Sequence, residues 1–253
     1  MYQYIYDYFL SDKKYEKSIT KIESRITDLG IKGKINKLTL LKNVDTFVRE
    51  SRDHSQVLVV VGNDETISQV LNSVVENDLI LGIIPIGDKQ KIANFLGIKN
   101  EDQACAILSA RNIEELDLGQ INNQYFLSGV EMFGEGASVL CDGKYKIKAL
   151  PKNKKIGIYN LCIEKGLGDL FNPQDNQLEL VSFPEEKNNL FSFKKQELLK
   201  TVLKIKKAKA LYSDDKKNEN KILIDNYKTI KPPATIKLAD KKLKIIVGKE
   251  RGF

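Results

Sequence analysis

The sequence is poor in the residue types that many hydrolases and metalloproteins use at their active sites. It has one histidine, His54, and three cysteines, Cys105, Cys141 and Cys162. His54 lies in a polar stretch typical of a surface turn, which argues against Ser-His-Asp catalysis, Cys-His catalysis and a histidine zinc site. The cysteines form no Cys-x-x-Cys pair, and their spacing is typical of buried reduced thiols. Carboxylates, lysines and backbone amides are therefore the groups left for catalysis.

Proline, glycine and long apolar runs are also scarce. The 253 residues include 6 Pro and 16 Gly, and 42% are hydrophobic, which excludes disordered, collagen-like and low-complexity proteins. The longest uncharged apolar run, Leu79–Ile86, is much shorter than the roughly 18 residues that a membrane-spanning helix needs. The amino-terminal stretch contains Asp7 and has no cationic start, so it does not predict a signal peptide. We therefore expect a globular cytoplasmic protein.

In the first half of the chain, strand-like patterns alternate with helical ones. Strand patterns occupy Tyr4–Tyr8, Ile35–Leu38, Val57–Val61 and Leu81–Ile86, and helical patterns occupy Tyr15–Leu29, Asn43–Glu50 and Ile67–Val75. The run Val57–Val61 is apolar on both faces, as in the central strand of a parallel sheet. This alternation predicts an α/β fold class, with a doubly wound nucleotide-binding domain over residues 1–118.

The second half contains mostly strand patterns. The Asn122-Asn123 pair predicts a turn between strands over residues 114–121 and 124–132. Further strand patterns occur at residues 156–163, 177–182, 221–225, 234–238 and 244–247, with one helical pattern at about 194–207. We therefore predict a β-rich, antiparallel, sandwich-like domain over residues 119–253.

Two loops each follow a buried strand and precede a predicted helix, which is where open α/β sheets bind ligands. They run from Gly62 to Thr66 and from Gly87 to Lys91. Asp64 has the chemistry to hold a metal ion or accept a proton, although a helix cap also explains an aspartate here. The candidate nucleotide-binding residues are Gly62, Asn63, Asp64, Glu65, Thr66, Gly87, Lys89 and Lys91.

Together the two loops resemble the diacylglycerol kinase catalytic domain family, which includes bacterial lipid kinases and sphingosine kinases and is distantly related to NAD kinases. That family has Gly-Gly-Asp-Gly-Thr where this chain has Gly62-Asn-Asp-Glu-Thr66. It has Leu-Gly-Ile-Ile-Pro-Leu-Gly where this chain has Leu81-Gly-Ile-Ile-Pro-Ile-Gly87. Its later Asp-Gly-Glu is matched by Asp225-Asn-Tyr227. The resemblance covers most of the chain.

The resemblance implies a lipid kinase of phospholipid metabolism, with an ATP site between two domains. ATP and magnesium would be its cofactors, and a diacylglycerol-like lipid hydroxyl would accept the γ-phosphate. The implied role of Asp64 is to bind magnesium or activate the acceptor, and Gly62–Thr66 would cradle phosphate. Asp225 would be the second acid of the site, and either aspartate could be the general base.

Departures from the family pattern leave the activity open. Asn63 and Glu65 replace glycines, Asp88–Lys91 replaces Thr-Gly-Asn-Asp, Tyr227 replaces a glutamate, and an Asn-Pro pair near the amino terminus is missing. Glu65 adds a negative charge that costs about 1 to 4 kcal/mol at about 4 Å from a phosphate charge, and we expect Lys89 and Lys91 to offset it. The alternatives are a non-catalytic relative that senses nucleotide or lipid, and an NAD kinase-like enzyme.

The chain carries 41 Lys and Arg against 34 Asp and Glu, a net charge of +7, which suits an anionic partner. Lysines between Lys194 and Lys209 interleave with apolar residues, and this pattern predicts a basic helix. Such a helix is able to make peripheral contact with an anionic membrane, while a solvated basic face gives the same pattern. Nucleic acid is not an expected partner because no binding motif is present. The oligomeric state is not predicted.

Overall fold

The computed structural model describes residues 2–39, 44–51, 56–134, 136–149, 155–161, 171–183, 201–213 and 220–253. His54, Cys162 and the predicted helical segment 194–200 lie outside these residues. The chain divides into two compact units. The first holds the described residues from 2 to 116 and from 240 to 253, and the second holds those from 117 to 239.

Sheet A, with six strands, organises the first unit. In spatial order its strands are β2 (Gly33–Lys37), β1 (Tyr2–Tyr6), β3 (Val57–Gly62), β4 (Ile80–Pro85), β18 (Leu243–Ile246) and β5 (Ile113–Leu116). The pairings from β2 to β18 are parallel, and β5 is antiparallel to β18. Every residue of β3 is buried, which explains why the sequence is apolar on both faces of this strand.

The helices of this unit follow from the apolar stripes in the sequence. They are α1 (Glu16–Asp28), α2 (Val44–Ser51), α3 (Asp64–Glu76), α4 (Lys91–Phe95) and α5 (Glu101–Ala110). Ile22 and Ile26 lie one turn apart on the buried face of α1, and α3 buries a similar stripe beginning at Ile67. Within the described residues, no helix is both long and apolar enough to cross a bilayer. The prediction of a mixed α/β fold is confirmed.

Two predicted strands pair differently from what the sequence indicates. We expected residues 114–116 to begin a strand that continues to residue 121 and pairs with residues 124–132, and residues 244–247 to end the second domain. Instead, β5 and β18 pair with each other, and Ile245 of β18 pairs with Leu81 of β4. Periodicity identifies a strand by burial but does not identify its partner. Assignment of residues 240–253 to the second domain is therefore wrong.

The second unit contains two six-stranded sheets. In spatial order, sheet B consists of β10 (Tyr145–Lys148), β9 (Ala137–Cys141), β14 (Lys207–Tyr212), β17 (Ala234–Leu238), β6 (Gly119–Ile121) and β7 (Gln124–Phe126). Sheet C consists of β13 (Thr201–Ile205), β12 (Leu178–Phe183), β11 (Lys155–Tyr159), β8 (Gly129–Phe133), β15 (Ile222–Ile224) and β16 (Lys228–Ile230). Apolar side chains from both sheets share one core, which includes Val139 and Ile236 of sheet B and Ile158 and Leu180 of sheet C. The prediction of antiparallel strands here is confirmed.

The predicted turn at Asn122-Asn123 does join two strands, β6 and β7. Asn122 has a φ of 51°, a conformation that asparagine tolerates better than most residues. Its side-chain oxygen also accepts a hydrogen bond from the Thr235 amide at 3.0 Å. The hairpin is shorter than predicted, because residues 129–133 form the separate strand β8 of sheet C.

The predicted basic helix is wrong over its described part, where the chain forms β13 and β14 instead. Along β14, the exposed Lys207 and Lys209 alternate with the buried Ala208 and Ala210. This period of two places all the lysines of the strand on one face, as a strand requires. A short stretch of mixed lysine and apolar residues fits both the period of a helix and the period of a strand. The sequence alone therefore did not distinguish a basic helix from a strand here.

Glu179 is a buried acid on the face of sheet C that points away from the shared core. It lies on β12, opposite Tyr159 of β11 and Lys204 of β13, and 0% of the residue is exposed. Neither carboxyl oxygen has a hydrogen-bond partner among the described residues. Burial, followed by the nearby charge of Asp175, raises the pKa of Glu179 to about 7. Ionised Glu179 therefore destabilises the folded protein.

We expect Glu179→Gln to stabilise the protein above about pH 7, where burial of the charged carboxylate costs most. The pKa rises from 4.5 to about 7 on folding, so the folded state binds an extra proton between these values and loses stability as pH rises through them. A shift of this size corresponds to about 3 kcal/mol. Urea denaturation of the wild type and the variant across this range measures the difference.

Glu23→Gln, which removes an exposed acid from α1, is the control for this experiment. Stability differences between wild type and Glu179→Gln that do not grow with pH would contradict the expectation.

Candidate functional site

Three loops lie side by side at the carboxyl end of sheet A, after β1, β3 and β4. Backbone hydrogen bonds connect them. The Asp7 amide donates to the Val61 carbonyl at 3.1 Å, and the Asp64 amide donates to the Lys89 carbonyl at 2.9 Å. The two loops that the sequence predicts as a ligand site, 62–66 and 87–91, are therefore in direct contact, and Asp7 joins them.

The first loop forms the amino-terminal cap of α3. The Asn63 side-chain oxygen accepts hydrogen bonds from the amides of Glu65 (3.0 Å) and Thr66 (3.2 Å), and the Thr66 hydroxyl oxygen accepts one from the Asn63 amide (3.1 Å). The Thr66 hydroxyl also donates to the carboxylate of Asp7 at 2.5 Å. This capping box consists of Asn63 and Thr66. Gly62 is required beside it, because a Cβ there would lie 2.3 Å from the Thr66 hydroxyl oxygen.

Asp64 connects the first loop to the second. Its carboxylate oxygens accept hydrogen bonds from the amides of Lys91 (2.9 Å) and Ile92 (3.1 Å), at the start of α4. The residue is 7% exposed. The Asp64 side chain thus caps the amino terminus of α4. Asp64 itself lies at the start of α3, whose cap is Asn63.

The amides at the start of α3 are engaged within the protein. Those of Asn63, Asp64, Glu65 and Thr66 all donate to protein oxygens. Within the described part of the chain, by contrast, the amides of Asp88, Lys89 and Gln90 donate to no protein acceptor. In this conformation the amides open to a phosphate group are those of the second loop.

Lys89 and Glu65 form an ion pair across the two loops. The hydrogen bond from the Lys89 ammonium to the Glu65 carboxylate, followed by the negative charge of Glu65, raises the pKa of Lys89. The Lys89 side chain remains 60% exposed, and its backbone is left-handed, with a φ of 60°. Gly87 is also left-handed, with a φ of 86°. The predicted offset of the Glu65 charge by Lys89 is therefore present, whereas Lys91 has an exposed side chain and contacts Asp64 through its amide.

A cavity of about 170 Å³ opens beside Asp7, at the carboxyl ends of β1 and β2. Its walls include Tyr6, Leu10, Ile19 and Leu38. The Tyr6 hydroxyl is buried and has no hydrogen-bond partner among the described residues. The sequence analysis did not predict Asp7 or Tyr6 as site residues. Their position at the carboxyl end of the first strand of a parallel sheet is the signal that could have identified them.

Asp225 lies in the second unit, whereas the other candidates lie in the first. It forms the turn between β15 and β16 with a φ of 48° and is 4% exposed. Its carboxylate accepts hydrogen bonds from the amides of Leu127 (3.1 Å), Ser128 (2.8 Å) and Gly129 (3.0 Å). These bonds attach the turn to the connection between β7 and β8. The geometry gives Asp225 a structural role within sheet C.

The aspartate at position 64 was also predicted to bind a metal ion. Among the described residues, no group of three or more His, Cys, Asp or Glu side chains is arranged to hold one. Magnesium in kinases is commonly bound by one or two carboxylates together with substrate phosphates. A single oriented carboxylate such as Asp64 fits that manner of binding, because a nucleotide would supply the other ligands.

We expect Asp225→Asn to destabilise the protein by about 2 kcal/mol, because one charged acceptor of three buried amides becomes a neutral group with only one acceptor oxygen. Asparagine tolerates the left-handed backbone, so the turn itself is preserved. Urea denaturation measures the loss. The neighbouring Asn226→Asp, also at a positive φ, is the control and should change stability by less than about 0.5 kcal/mol. Equal stability of the two variants would contradict the structural role.

Comparison with known proteins supports the resemblance found in the sequence. Residues 5–121 match the diacylglycerol kinase catalytic domain. The chain is 36% identical over 76 residues to a diacylglycerol kinase of Bacillus subtilis (strain 168), and 30% identical over 83 residues to one of Staphylococcus aureus (strain JH9). These matches cover 28% and 32% of this chain, but only 25% and 26% of the relatives.

A crystal structure of a diacylglycerol kinase from Bacillus anthracis str. Sterne has the same fold. It superposes with a TM-score of 0.76 at 16% identity, over 98% of this chain and 97% of the other. Identity this low establishes the fold alone. The matched segment, 5–121, contains both loops at the carboxyl end of sheet A. The match to the family's domain and the matches to the two curated relatives confirm the predicted resemblance of this chain to the diacylglycerol kinase catalytic domain family.

Proposed function

We propose that the protein is a lipid kinase that uses ATP and magnesium to phosphorylate a diacylglycerol-like hydroxyl. The observation that carries this proposal is the position of Asp64 within the segment that matches the family. Asp64 lies at the carboxyl end of β3, where parallel sheets bind their ligands, and two amides orient its carboxylate. Phosphoryl-transfer enzymes use a positioned acid to hold magnesium or to accept the proton of the attacking hydroxyl.

In this proposal Asp64 serves the reaction centre. It either shares a magnesium ion with the nucleotide phosphates or accepts the proton of the attacking hydroxyl. Magnesium, when bound, neutralises the charge that develops on the transferred phosphoryl group. The hydrogen bonds from Lys91 and Ile92 prevent the carboxylate from rotating, so little reorganisation is needed during the reaction.

The nucleotide phosphates would be held by the second loop. Its amides at Asp88, Lys89 and Gln90 are available, and the Lys89 ammonium lies at the exposed edge. The first loop then acts as a support, because Glu65 and the Asp64 amide fix the position of Lys89. The cavity beside Asp7 would take the nucleobase, since its apolar walls suit a flat ring and the Tyr6 hydroxyl would gain a partner.

The test is transfer of labelled γ-phosphate from Mg-ATP to diacylglycerol, other lipid alcohols and NAD. We expect label in a diacylglycerol-like lipid, and a loss of about a hundredfold or more in Asp64→Asn, typical of removing a catalytic carboxylate. Asp142→Asn is the matched control, because Asp142 also accepts two backbone amides, those of Lys206 and Lys207, but lies in the second unit.

The panel of acceptors decides between the alternatives. Label in NAD would indicate an NAD kinase-like enzyme. No transfer to any acceptor, or equal transfer by wild type and Asp64→Asn, would overturn the proposed role of Asp64.

A non-catalytic sensor is the second candidate, and two observations favour it. The amides at the start of α3 are engaged within the protein, and the Asp225 carboxylate is occupied by three amides. A sensor would bind ATP in calorimetry without transferring its phosphate. The same panel therefore separates a sensor from a kinase.

The ion pair between the loops predicts how the charges tune nucleotide binding. We expect Lys89→Ala to weaken ATP binding by about tenfold, because the Glu65 carboxylate is then left unpaired near the phosphates. Glu65→Gln should strengthen binding by about fivefold, because it frees the Lys89 ammonium for phosphate. Isothermal titration calorimetry measures both affinities.

The pair Lys99 and Glu250 provides a matched control, because it is another exposed ion pair of the first unit, with a distance of 2.6 Å. Lys99→Ala and Glu250→Gln should leave the ATP affinity unchanged. Equal affinities for Lys89→Ala and Lys99→Ala would contradict phosphate binding by the second loop.

A further inference from the structure

One face of sheet B carries five lysines and, among the described residues of its strands, no carboxylate. This face points away from the shared core, because the residues between these positions, such as Val139, Ala208 and Ile236, are buried in that core. The lysines on this outer face are Lys146, Lys148, Lys207, Lys209 and Lys237. We call them the lysine face.

Strand register brings these lysines together from three strands. Lys146 of β10 lies opposite Leu140 of β9, and Leu140 lies opposite Lys209 of β14. Lys207 lies directly opposite Lys237 of β17. Since strands are about 4.8 Å apart, the five positions fall within about 15 Å across the sheet.

These lysines give the outer face of sheet B a concentrated positive charge. Lys146, Lys148, Lys207 and Lys209 are exposed, and Lys237 is partly buried. Like charges held near one another repel, and an anionic partner would offset this repulsion.

The shape and composition of the lysine face favour a membrane surface over nucleic acid. It is a broad sheet face, whereas the DNA major groove admits a helix or a two-stranded ribbon. Partly buried leucines, Leu140 and Leu211, lie among the lysines. Among the described residues of the strands of sheet B, Tyr125 is the one aromatic side chain on this face. Single-stranded nucleic acids are bound on several aromatic rings, while lysine side chains around apolar groups suit the headgroup region of a bilayer.

We propose that the lysine face docks the protein on bilayers that contain anionic lipids. The attraction is between the lysine ammonium groups and lipid phosphates, and each lysine near such a surface contributes about 1 kcal/mol at moderate salt. The docking goes beyond the proposed kinase activity and does not require it. It replaces the predicted basic helix as the membrane contact, and keeps two of that segment's lysines, Lys207 and Lys209.

The experiment is co-sedimentation of the full chain, without nucleotide, with vesicles of phosphatidylcholine alone or with about a third phosphatidylglycerol. We expect binding to the anionic vesicles only, and weaker binding as salt rises. The triple variant Lys146→Gln/Lys207→Gln/Lys209→Gln should lose about a hundredfold in vesicle partitioning, from three contributions of about fivefold each.

Two further variants separate docking from general effects of charge. Lys13→Gln/Lys17→Gln/Lys32→Gln removes the same charge from exposed positions of the first unit and should bind vesicles as the wild type does. The triple arginine variant at positions 146, 207 and 209 keeps the charge and should also bind. Thermal unfolding checks that each variant is folded.

Unchanged binding in the triple glutamine variant, or an equal loss in the control triple, would overturn the proposal. So would absence of vesicle binding together with binding of RNA through the same lysines. Loss of kinase activity has no bearing on this readout, because the vesicle measurement contains no ATP. Failure of docking and failure of the proposed reaction are therefore distinguishable.

Discussion

The carboxylate of Asp64 fixes the arrangement of the carboxyl end of sheet A. It begins α3, yet its hydrogen bonds go to the first amides of α4, so the two helices that follow β3 and β4 cannot move independently. The Asp64 backbone amide donates a third hydrogen bond between the two loops, to the Lys89 carbonyl. The left-handed backbone of Lys89, its ion pair with Glu65 and the open amides of the second loop all depend on this connection.

The departure from a family glycine at position 63 has a local physical result. The Asn63 side-chain oxygen accepts hydrogen bonds from the amides of Glu65 and Thr66, which a glycine has no side chain to engage, and a bond of this type stabilises a fold by about 1 kcal/mol. Asp225, at a position that matches the family's aspartate, likewise engages three amides of the second unit. Internal hydrogen bonds therefore occupy the start of α3 and the turn of sheet C, whereas the amides of Asp88, Lys89 and Gln90 donate to no acceptor among the described residues.

Periodicity and loop position predicted much of the first unit and the placement of its two loops. The strands β1 to β4 and the helices α1 to α3 were predictable because each buries a regular stripe. The partner of β18 was not, since pairing depends on chain segments distant in sequence. The contact between the loop of Asp64 and the second loop was predictable from the positions of the two loops. The amide partners of the Asp64 carboxylate were not, because they belong to a helix of only five residues with no clear sequence pattern.

The position of β18 has a consequence for how the chain can assemble. This strand lies between β4 and β5, yet it is synthesised after all of the second unit. Until then β4 and β5 each have an unpaired edge, and such edges favour pairing with other chains. Sheet A is therefore completed last, although most of it is synthesised first. A nascent chain stalled before residue 243 would expose the unpaired edges of β4 and β5, which β18 covers in the folded protein.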